Sequence, residues 1–285
     1  MALVDAELSG LDHLEIPTPA RRGRGARLWA AAWPKVAAAA LAVAVWQVVY
    51  LSGWRPPFVL PSPETVFRYF FGHLDILATA AATTLRRGLV GFGIALVIGT
   101  GLGALVSRSR VLRSAVGSMI TGLQTMPSIA WFPAAILLFR ISEGAILFVV
   151  VIGAAPSIAN GLINGIDNVP PVLLRAGRAL GARGFGAMRD VVIPAALPEY
   201  VGGLKQGWSF AWRSLLAGEL LVLIAGHPSL GQQLQTARDL ADAPFLYSCM
   251  LMIFLIGVLV DAVVFGVVER RIRRRYGLVD RAAER

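Results

Sequence analysis

The sequence predicts an all-α membrane protein with about six transmembrane helices. Only 15% of its 285 residues are charged and 56% are hydrophobic, whereas a soluble domain carries about 25% charged residues. The apolar residues form runs close to the roughly 20 residues that a helix needs to cross about 30 Å of hydrocarbon. Each run must be helical, because lipid offers no partner to an unpaired backbone N–H or C=O group.

Six apolar segments qualify as spans, and the basic residues between them predict their orientation. With the N-terminus inside, the cytoplasmic segments hold 19 of the 27 Lys and Arg residues, the outer segments hold six and the fifth span holds two. Cytoplasmic loops carry the excess of Lys and Arg, so both termini are predicted to be cytoplasmic. The net charge of +10 therefore does not indicate nucleic-acid binding. The spans are Ala32–Leu51, Gly88–Val106, Val116–Phe139, Ala145–Ile166, Val201–Ala225 and Leu246–Val268.

Four regions follow from this topology. Residues 1–31 are predicted to be a cytoplasmic tail, because they contain no apolar core and hence no cleaved signal peptide. Residues 32–78 contain the first span and an outer segment rich in proline. Residues 79–271 contain the remaining spans, and residues 272–285 form a basic cytoplasmic tail.

The third span is predicted to be broken. A straight helix over residues 111–139 would be about 43 Å long at about 1.5 Å per residue, which exceeds the hydrocarbon thickness. Pro127 and Pro133 lie inside it, near the polar residues Gln124 and Ser128. A break frees backbone groups that must face protein or water. This segment therefore either lines a pathway or forms a proline kink packed against its neighbours.

The connection between the fourth and fifth spans is unusually long. It covers Asp167–Tyr200, whereas helix–helix links usually have about two to eight residues. Two amphipathic stretches, Val172–Leu180 and Phe185–Val192, predict two short helices on the cytoplasmic face, separated by Gly181. The second of these is predicted to end at Pro194. Four arginines make this face basic: Arg175, Arg178, Arg183 and Arg189.

Seven residues of this connection resemble the cytoplasmic signature of the membrane subunits of bacterial ABC importers. The signature reads Glu-Ala-Ala, three residues, Gly, nine residues, Ile-x-Leu-Pro, and the spacing agrees throughout. Arg175 stands in place of the usual Glu, and Gly177 in place of an Ala. The resemblance implies that this loop docks into a cleft on an ATPase subunit and transmits its closure to the spans. The residues at the seven signature positions are Arg175, Ala176, Gly177, Gly181, Val191, Ile193 and Pro194.

Further segments resemble the permeases for sulfonates, taurine, nitrate and bicarbonate. They are Pro57–Pro63, Pro127–Pro133, Pro194–Pro198 and Ala217–Leu220, within a similarity that extends from about Trp46 to Tyr276. The resemblance implies a type I ABC importer permease fold, a homodimer of this chain, two ATPase subunits and an extracytoplasmic substrate-binding protein. The sequence contains no Gly-x-x-x-x-Gly-Lys-[Ser/Thr] loop. This chain is therefore expected to bind no cofactor itself, with ATP and Mg²⁺ held by the partner ATPase.

Polar and aromatic residues of the third to fifth spans are candidates for lining the pathway. Lys205 or Arg213 would attract an anion, because ionisable residues in spans usually face the bundle interior or water. Alternatively, Lys205 lies at the inner interface, Arg213 is paired with a carboxylate, and Asn160 joins helices by hydrogen bonds. The full candidate set is Gln124, Ser128, Asn160, Lys205, Trp208, Trp212, Arg213 and Glu219.

The favoured function is an ABC importer permease for a small anion, with aliphatic sulfonate or taurine first. Similar permeases carry nitrate, bicarbonate and pyrimidine precursors, so these remain alternatives. A stand-alone ion-coupled transporter is a further alternative, but such proteins often contain paired broken helices, and one broken span is found here. His13, His73 and His227 are isolated, so no metal site is predicted. No nucleophile and base converge, so no enzymatic activity is expected of this chain.

Overall fold

The computed structural model describes residues 24–224 and 226–276, which form helices joined by short connections. No strand occurs in these ranges, and the predicted all-α fold is confirmed. Of the predicted tails, 1–31 and 272–285, residues 1–23 and 277–285 lie outside the described residues, whereas residues 24–31 belong to the first helix and residues 272–275 to the last. The helices are α1 Arg24–Leu51, α2 Pro63–Gly72, α3 Leu74–Ser107, α4 Arg110–Thr125, α5 Phe132–Phe139, α6 Glu143–Asp167, α7 Pro171–Ala179, α8 Gly184–Ala187, α9 Ile193–Leu221, α10 Leu230–Asp239, α11 Ala243–Val260 and α12 Gly266–Arg275.

Within the described residues, four helices are long and apolar enough to cross a membrane. They are Ala32–Leu51 in α1, α3, α6 and Ala243–Ile272. A fifth span results if the bent pair formed by α4 and the helical segment Ser128–Phe139 is counted as one. α9 corresponds to the predicted fifth span in the chain, and its 29 residues are about 43 Å long. It is not among these helices, so four or five of the described helices pass this test, against the six spans predicted.

The predicted break in the third span lies at Met126 and Pro127. The helical axes on its two sides differ by 100°, because Pro127 has no N–H to continue the α-helical ladder. A 3₁₀ turn, Ser128–Trp131, follows and leads into α5. Pro133 causes no break, because it lies in the first turn of α5, where an N–H is not required.

α1 belongs to one compact unit, and the helices after Gly53 belong to another. Large apolar side chains of α1, such as Leu41 and Val48, are exposed, which suits a helix whose surroundings are lipid. All residues of the importer signature lie in the second unit.

α6 is the central helix of the second unit and packs against both α3 and α9. A Cβ atom added at Gly99 of α3 would lie 2.6 Å from the carbonyl oxygen of Ala155 in α6. One added at Gly161 of α6 would lie 2.5 Å from the Cα atom of Gly203 in α9. Small residues permit this close approach, and the resulting van der Waals contact drives helix association in lipid. Large buried side chains fill the remaining space, among them Phe132, Ile146, Val150, Ile158 and Leu215.

The end of the bundle far from the α6–α9 connection is closed by α2, α10 and the start of α11. Tyr69 of α2 donates a hydrogen bond to Oδ2 of Asp242 at 3.0 Å. Burial, together with this carboxylate, raises the pKa of Tyr69, so the phenol remains a donor. Asp242 also caps α11 by accepting a hydrogen bond from the N–H of Phe245.

Candidate functional site: the elbow and the membrane pathway

The connection between α6 and α9 contains a sharp turn between two helical arms, and residues 168–192 are named the elbow here. Pro171 opens α7 at a position where a missing N–H is tolerated. Gly181 follows the end of α7 with a φ of +87°, and the N–H of Ala182 donates to the carbonyl of Gly177 at 2.9 Å. This is the glycine-terminated helix end that the sequence predicts.

The second arm continues directly into α9, which differs from the prediction of a helix that ends at Pro194. α8, the π-helical turn Met188–Val192 and α9 follow one another without interruption. Because Pro194 has no N–H, the ladder widens ahead of it: the N–H of Ile193 donates to the carbonyl of Met188, five residues back. The elbow is therefore connected to the spanning helix α9 by continuous helix.

Gly177 and Val191 bring the two arms of the elbow into contact. Gly177 is buried, and a Cβ atom added to it would lie 2.7 Å from Cγ2 of Val191. Any larger residue would therefore push the arms apart. This contact accounts for glycine at a position where the importer signature has alanine.

The outer surface of the elbow is exposed, basic and partly apolar. Leu180 and Phe185 are 88% and 79% exposed, and large exposed apolar side chains mark interaction surfaces. Arg175 and Ala176 of the signature lie on this surface, whereas Gly177 lies beneath it. Within the described part of the chain, Arg175, Arg178 and Arg183 form no ion pair.

An ion pair links the start of α4 to the residue that precedes the elbow. Nη1 of Arg113 lies 2.6 Å from Oδ1 of Asp167, the last residue of α6. Arg113 donates a further hydrogen bond to the carbonyl of Ser107, the last residue of α3. Arg113 thus connects α3, α4 and the end of α6 next to the elbow.

The α9 face that the sequence singled out packs within the chain. Trp208 and Trp212 are 6% and 9% exposed, and Glu219 is fully buried. Lys205 is half-buried, with its Nζ 3.1 Å from Oδ1 of Asp261 and 3.7 Å from Oε2 of Glu269. These residues therefore connect α9 to other helices of the same chain, and the free face of α9 lies elsewhere.

The break after α4 is held in place by side-chain hydrogen bonds. Asn160 Nδ2 donates to Gln124 Oε1 at 2.8 Å, and Gln124 Nε2 donates to Ser157 Oγ at 3.1 Å. On the other side of the break, Ser214 Oγ donates to Ser128 Oγ at 2.7 Å. Two predicted pathway residues, Gln124 and Asn160, are thus in contact, while a third, Ser128, is bound to α9 through Ser214. Gln124 and Ser128 also line a cavity of about 230 Å³ beside the break.

Two exposed polar stripes run along α4 and α9. Of their members, only Arg213 belongs to the predicted set of pathway residues. Spacings of three, four and seven residues place each set on one helix face. Spanning helices rarely direct polar and ionisable groups to lipid, because these groups need a polar partner or water. The α4 stripe is Ser114, Ser118, Thr121 and Thr125, and the α9 stripe is Glu199, Gln206, Ser209 and Arg213.

The glycines of α9 indicate in the sequence which face of this helix is packed, and hence which face is free for the polar stripe. Gly203, Gly207 and Gly218 recur at helical spacing, and small residues mark the face that packs on another helix. In the structure a Cβ atom added at Gly207 would lie 2.7 Å from Cγ1 of Ile158 in α6. The polar stripe lies on a different face, which the chain leaves uncovered.

A buried ion cluster lies at the end of the bundle far from the elbow. Arg87 of α3 donates through Nη1 to Oε1 of Glu219 at 3.2 Å and through Nε to Oε1 of Glu143 at 3.1 Å. Glu219 also accepts a hydrogen bond from Thr84 at 2.9 Å and one from the N–H of Gly231 at 3.2 Å. The cluster thereby connects α3, α6, α9 and α10.

A match to a known protein family identifies the chain. Residues 93–274 match the family described as the binding-protein-dependent transport system inner membrane component. The chain belongs to this family. The permease is also 31% identical over 235 residues to a putative ABC transporter permease of Methanocaldococcus jannaschii, which covers 80% of this chain and 86% of the relative.

Two further relatives carry substrate names. The putative aliphatic sulfonates transport permease SsuC of Bacillus subtilis is 26% identical to the permease, over 82% of this chain and 84% of the relative. The taurine transport system permease TauC of Escherichia coli is 25% identical, over 78% of this chain and 82% of the relative. The predicted resemblance to the sulfonate and taurine permeases is confirmed.

A solved structure supports the fold. The inward-facing MetNI methionine ABC transporter has a chain that aligns with the permease at a TM-score of 0.60 and 21% identity, covering 70% of this chain and 98% of that chain. The predicted type I importer permease fold is confirmed. This chain is an ABC importer permease subunit, a transport component of the membrane.

Proposed function

We propose that the chain forms the translocation pathway of an ATP-driven importer for a small organic anion, with aliphatic sulfonate or taurine as the first candidates. It works as a homodimer with two ATPase subunits, which hold the ATP and Mg²⁺, and with an extracytoplasmic binding protein that delivers the substrate. Both termini lie in the cytoplasm, as the distribution of Lys and Arg favours.

The elbow is the observation that carries this proposal. Its surface combines exposed Leu180 and Phe185 with arginines that form no ion pair among the described residues, which suits a protein partner better than water alone. Its second arm is continuous with α9, so a partner that moves the elbow also moves a spanning helix. An ATPase that closes around ATP is such a partner.

The polar stripes support a passage between two copies of the chain. The stripes of α4 and α9 are exposed in one chain, and their hydroxyl, amide and charged groups require water or protein as surroundings. A second copy facing the same stripes would enclose a polar channel. This arrangement needs no large change in the fold of either copy.

The relatives and the charge of the α9 stripe favour a sulfonate. SsuC and TauC carry aliphatic sulfonate and taurine in their names, and Arg213 adds a cation to the exposed stripe. Nitrate, bicarbonate and a pyrimidine precursor are the alternative substrates. Binding measurements on the cognate extracytoplasmic protein would distinguish them, because this protein delivers the substrate.

Reconstituted transport tests the proposal. Liposomes are prepared with the chain in the membrane, with the ATPase and ATP in the lumen, and with the binding protein and labelled taurine or ethanesulfonate outside. They are expected to accumulate the label in the lumen. A non-hydrolysable ATP analogue in place of ATP should give no accumulation. Omission of the ATPase is the matched control and should abolish uptake. Accumulation without ATPase, driven by an imposed ion gradient, would instead establish the ion-coupled alternative.

A further inference from the structure

The two polar stripes of the permease converge at the cavity beside the α4 break. Thr125, the last residue of the α4 stripe, and Arg213, the last residue of the α9 stripe, both line it. The cavity measures about 230 Å³ and is open on one side. A solute that moves along either stripe would therefore reach the same cavity.

The cavity is lined by a cation, Arg213, that no carboxylate of the described residues neutralises. Nε of Arg213 donates to the carbonyl of Ser209 at 3.1 Å, and its guanidinium lies 4.8 Å from the ring centroid of Phe210. No carboxylate of residues 24–224 or 226–276 forms an ion pair with it, and no acidic residue lines the cavity. An arginine about 12 Å from the end of a spanning helix requires an anion or water as its partner.

The cavity also contains side-chain donors beside the α4 break. Ser128 Oγ accepts a hydrogen bond from Ser214 Oγ at 2.7 Å, so its own hydroxyl proton remains available to a ligand. Gln124 is held by Ser157 and Asn160, and its amide has a second N–H to donate. Hydrogen bonds between neighbouring helices thus keep these donors in place before a ligand arrives.

Most of the remaining lining is apolar. It includes Leu123, Met126, Ile129, Trp131, Ile152 and Phe210, so the cavity combines a cation and polar groups with apolar surface. A bare inorganic anion would use only the cation and the polar groups. A short organic anion would also use the apolar surface.

We propose that this cavity is a substrate subsite in which Arg213, with the side chains of Ser128 and Gln124, binds the oxyanion group of a small organic acid, while the apolar lining contacts its hydrocarbon part. The proposal rests on the proposed function, since it places the substrate class of the importer at a defined point of the pathway. It assigns recognition to the permease itself, in addition to the binding protein.

Equilibrium binding to the permease–ATPase complex in lipid nanodiscs, without binding protein, tests the subsite. Ethanesulfonate and propanesulfonate should bind, and ethylammonium, a cation of similar size, should not. Each buried methylene should tighten binding about fourfold, so propanesulfonate should bind more tightly than methanesulfonate.

Two variants test the role of Arg213. Arg213→Gln should weaken sulfonate binding at least about tenfold, as expected for loss of a hydrogen bond to a charged group. Arg213→Lys, which keeps the charge, should recover part of the lost sulfonate affinity.

Arg68→Gln is the matched control, because Arg68 is exposed in an ion pair with Glu64 and does not line the cavity; it should bind sulfonate like the unchanged complex. Failure of the unchanged complex to bind sulfonate, while ATP-dependent uptake with binding protein proceeds, would overturn the subsite and leave the importer function intact. Tighter binding of nitrate than of propanesulfonate, or equal binding by Arg213→Gln in a complex that assembles normally, would also overturn it. Sulfonate binding lost in Arg213→Gln and kept in Arg213→Lys would support it.

Discussion

Arg87 and Glu219 form an ion pair of 3.2 Å between α3 and α9, with side chains that are 3% and 0% exposed. They are 132 residues apart in the chain, and Glu219 in turn accepts the N–H of Gly231 at the start of α10. Glu143 binds the Nε atom of the same arginine. This ion cluster thus connects four helices, α3, α6, α9 and α10, at the end of the bundle opposite the elbow.

Replacement of Glu219 by Ala should destabilise the permease strongly. Loss of one partner leaves Arg87 buried without full compensation, which costs about 3–5 kcal/mol in buried pairs. The melting temperature of the purified protein, followed by intrinsic fluorescence, measures the effect. Glu64→Ala, which removes the exposed pair with Arg68, should change stability by at most about 1 kcal/mol. The double variant Arg87→Gln with Glu219→Gln should lose less stability than either single charge deletion. If the losses of the two single variants simply add in the double variant, the two charges do not stabilise each other.

Replacement of Gly181 by Val should uncouple the elbow. Gly181 has a φ of +87°, and a β-branched residue is a strong outlier there, so the turn between the arms should change shape. ATP-dependent uptake is expected to fall while membrane insertion is kept. Gly186→Ala is the matched control in the same elbow, because a Cβ atom there meets no atom within 4 Å and its φ is not positive. Unchanged uptake by the Gly181 variant would count against the role of the turn.

Replacement of Gly177 by Ala should loosen the elbow, and a second change should restore it. The added Cβ would lie 2.7 Å from Cγ2 of Val191, and overpacking of this kind costs about 1–3 kcal/mol. Val191→Ala removes the opposing methyl groups, so the double variant should regain ATP-dependent uptake. A double-mutant cycle measures this coupling. Equal loss in the single and double variants would mean that the two side chains do not oppose each other.

Replacement of Gly161 by Ala should separate α6 from α9. A Cβ atom there would lie 2.5 Å from the Cα atom of Gly203, and backbone atoms cannot rotate away, so the melting temperature of the purified protein should fall. Gly101→Ala on α3 is the control, because its Cβ would meet nothing within 4 Å and alanine favours helix. If both variants melt alike, the close helix contact is not present in the membrane.

Cysteines placed on the two polar stripes should react with a charged, water-soluble thiol reagent. In a Cys249→Ser background, Ser209→Cys and Thr121→Cys are expected to be labelled, because both positions lie on exposed polar faces that require water. Val97→Cys is the control, since Val97 is 74% exposed on the apolar helix α3 and is expected to face lipid. Faster labelling at position 97 than at position 209 would exclude a water-lined passage along α9.

Much of the architecture could be predicted from local features of the sequence. The spans, the break at Pro127 and the turn at Gly181 depend on hydrocarbon thickness, on the missing proline N–H and on a positive φ, each of which is a property of a short segment. The continuation of the elbow into α9 was not predicted, because a proline after a short amphipathic stretch normally limits a helix. Here a π-helical turn accommodates Pro194 instead.

The sequence alone determined the fold class, the elbow and the importer family, because lipid restricts the chain to helices of a set length and the signature spacing is local. Only the tertiary structure decided which face of α9 is free. Periodicity places Lys205, Trp208 and Glu219 on one face but does not tell what covers it. That depends on partners such as Asp261 and Arg87, which come from distant parts of the chain. Once they are placed, the polar stripe that ends at Arg213 is the face of α9 left for a passage.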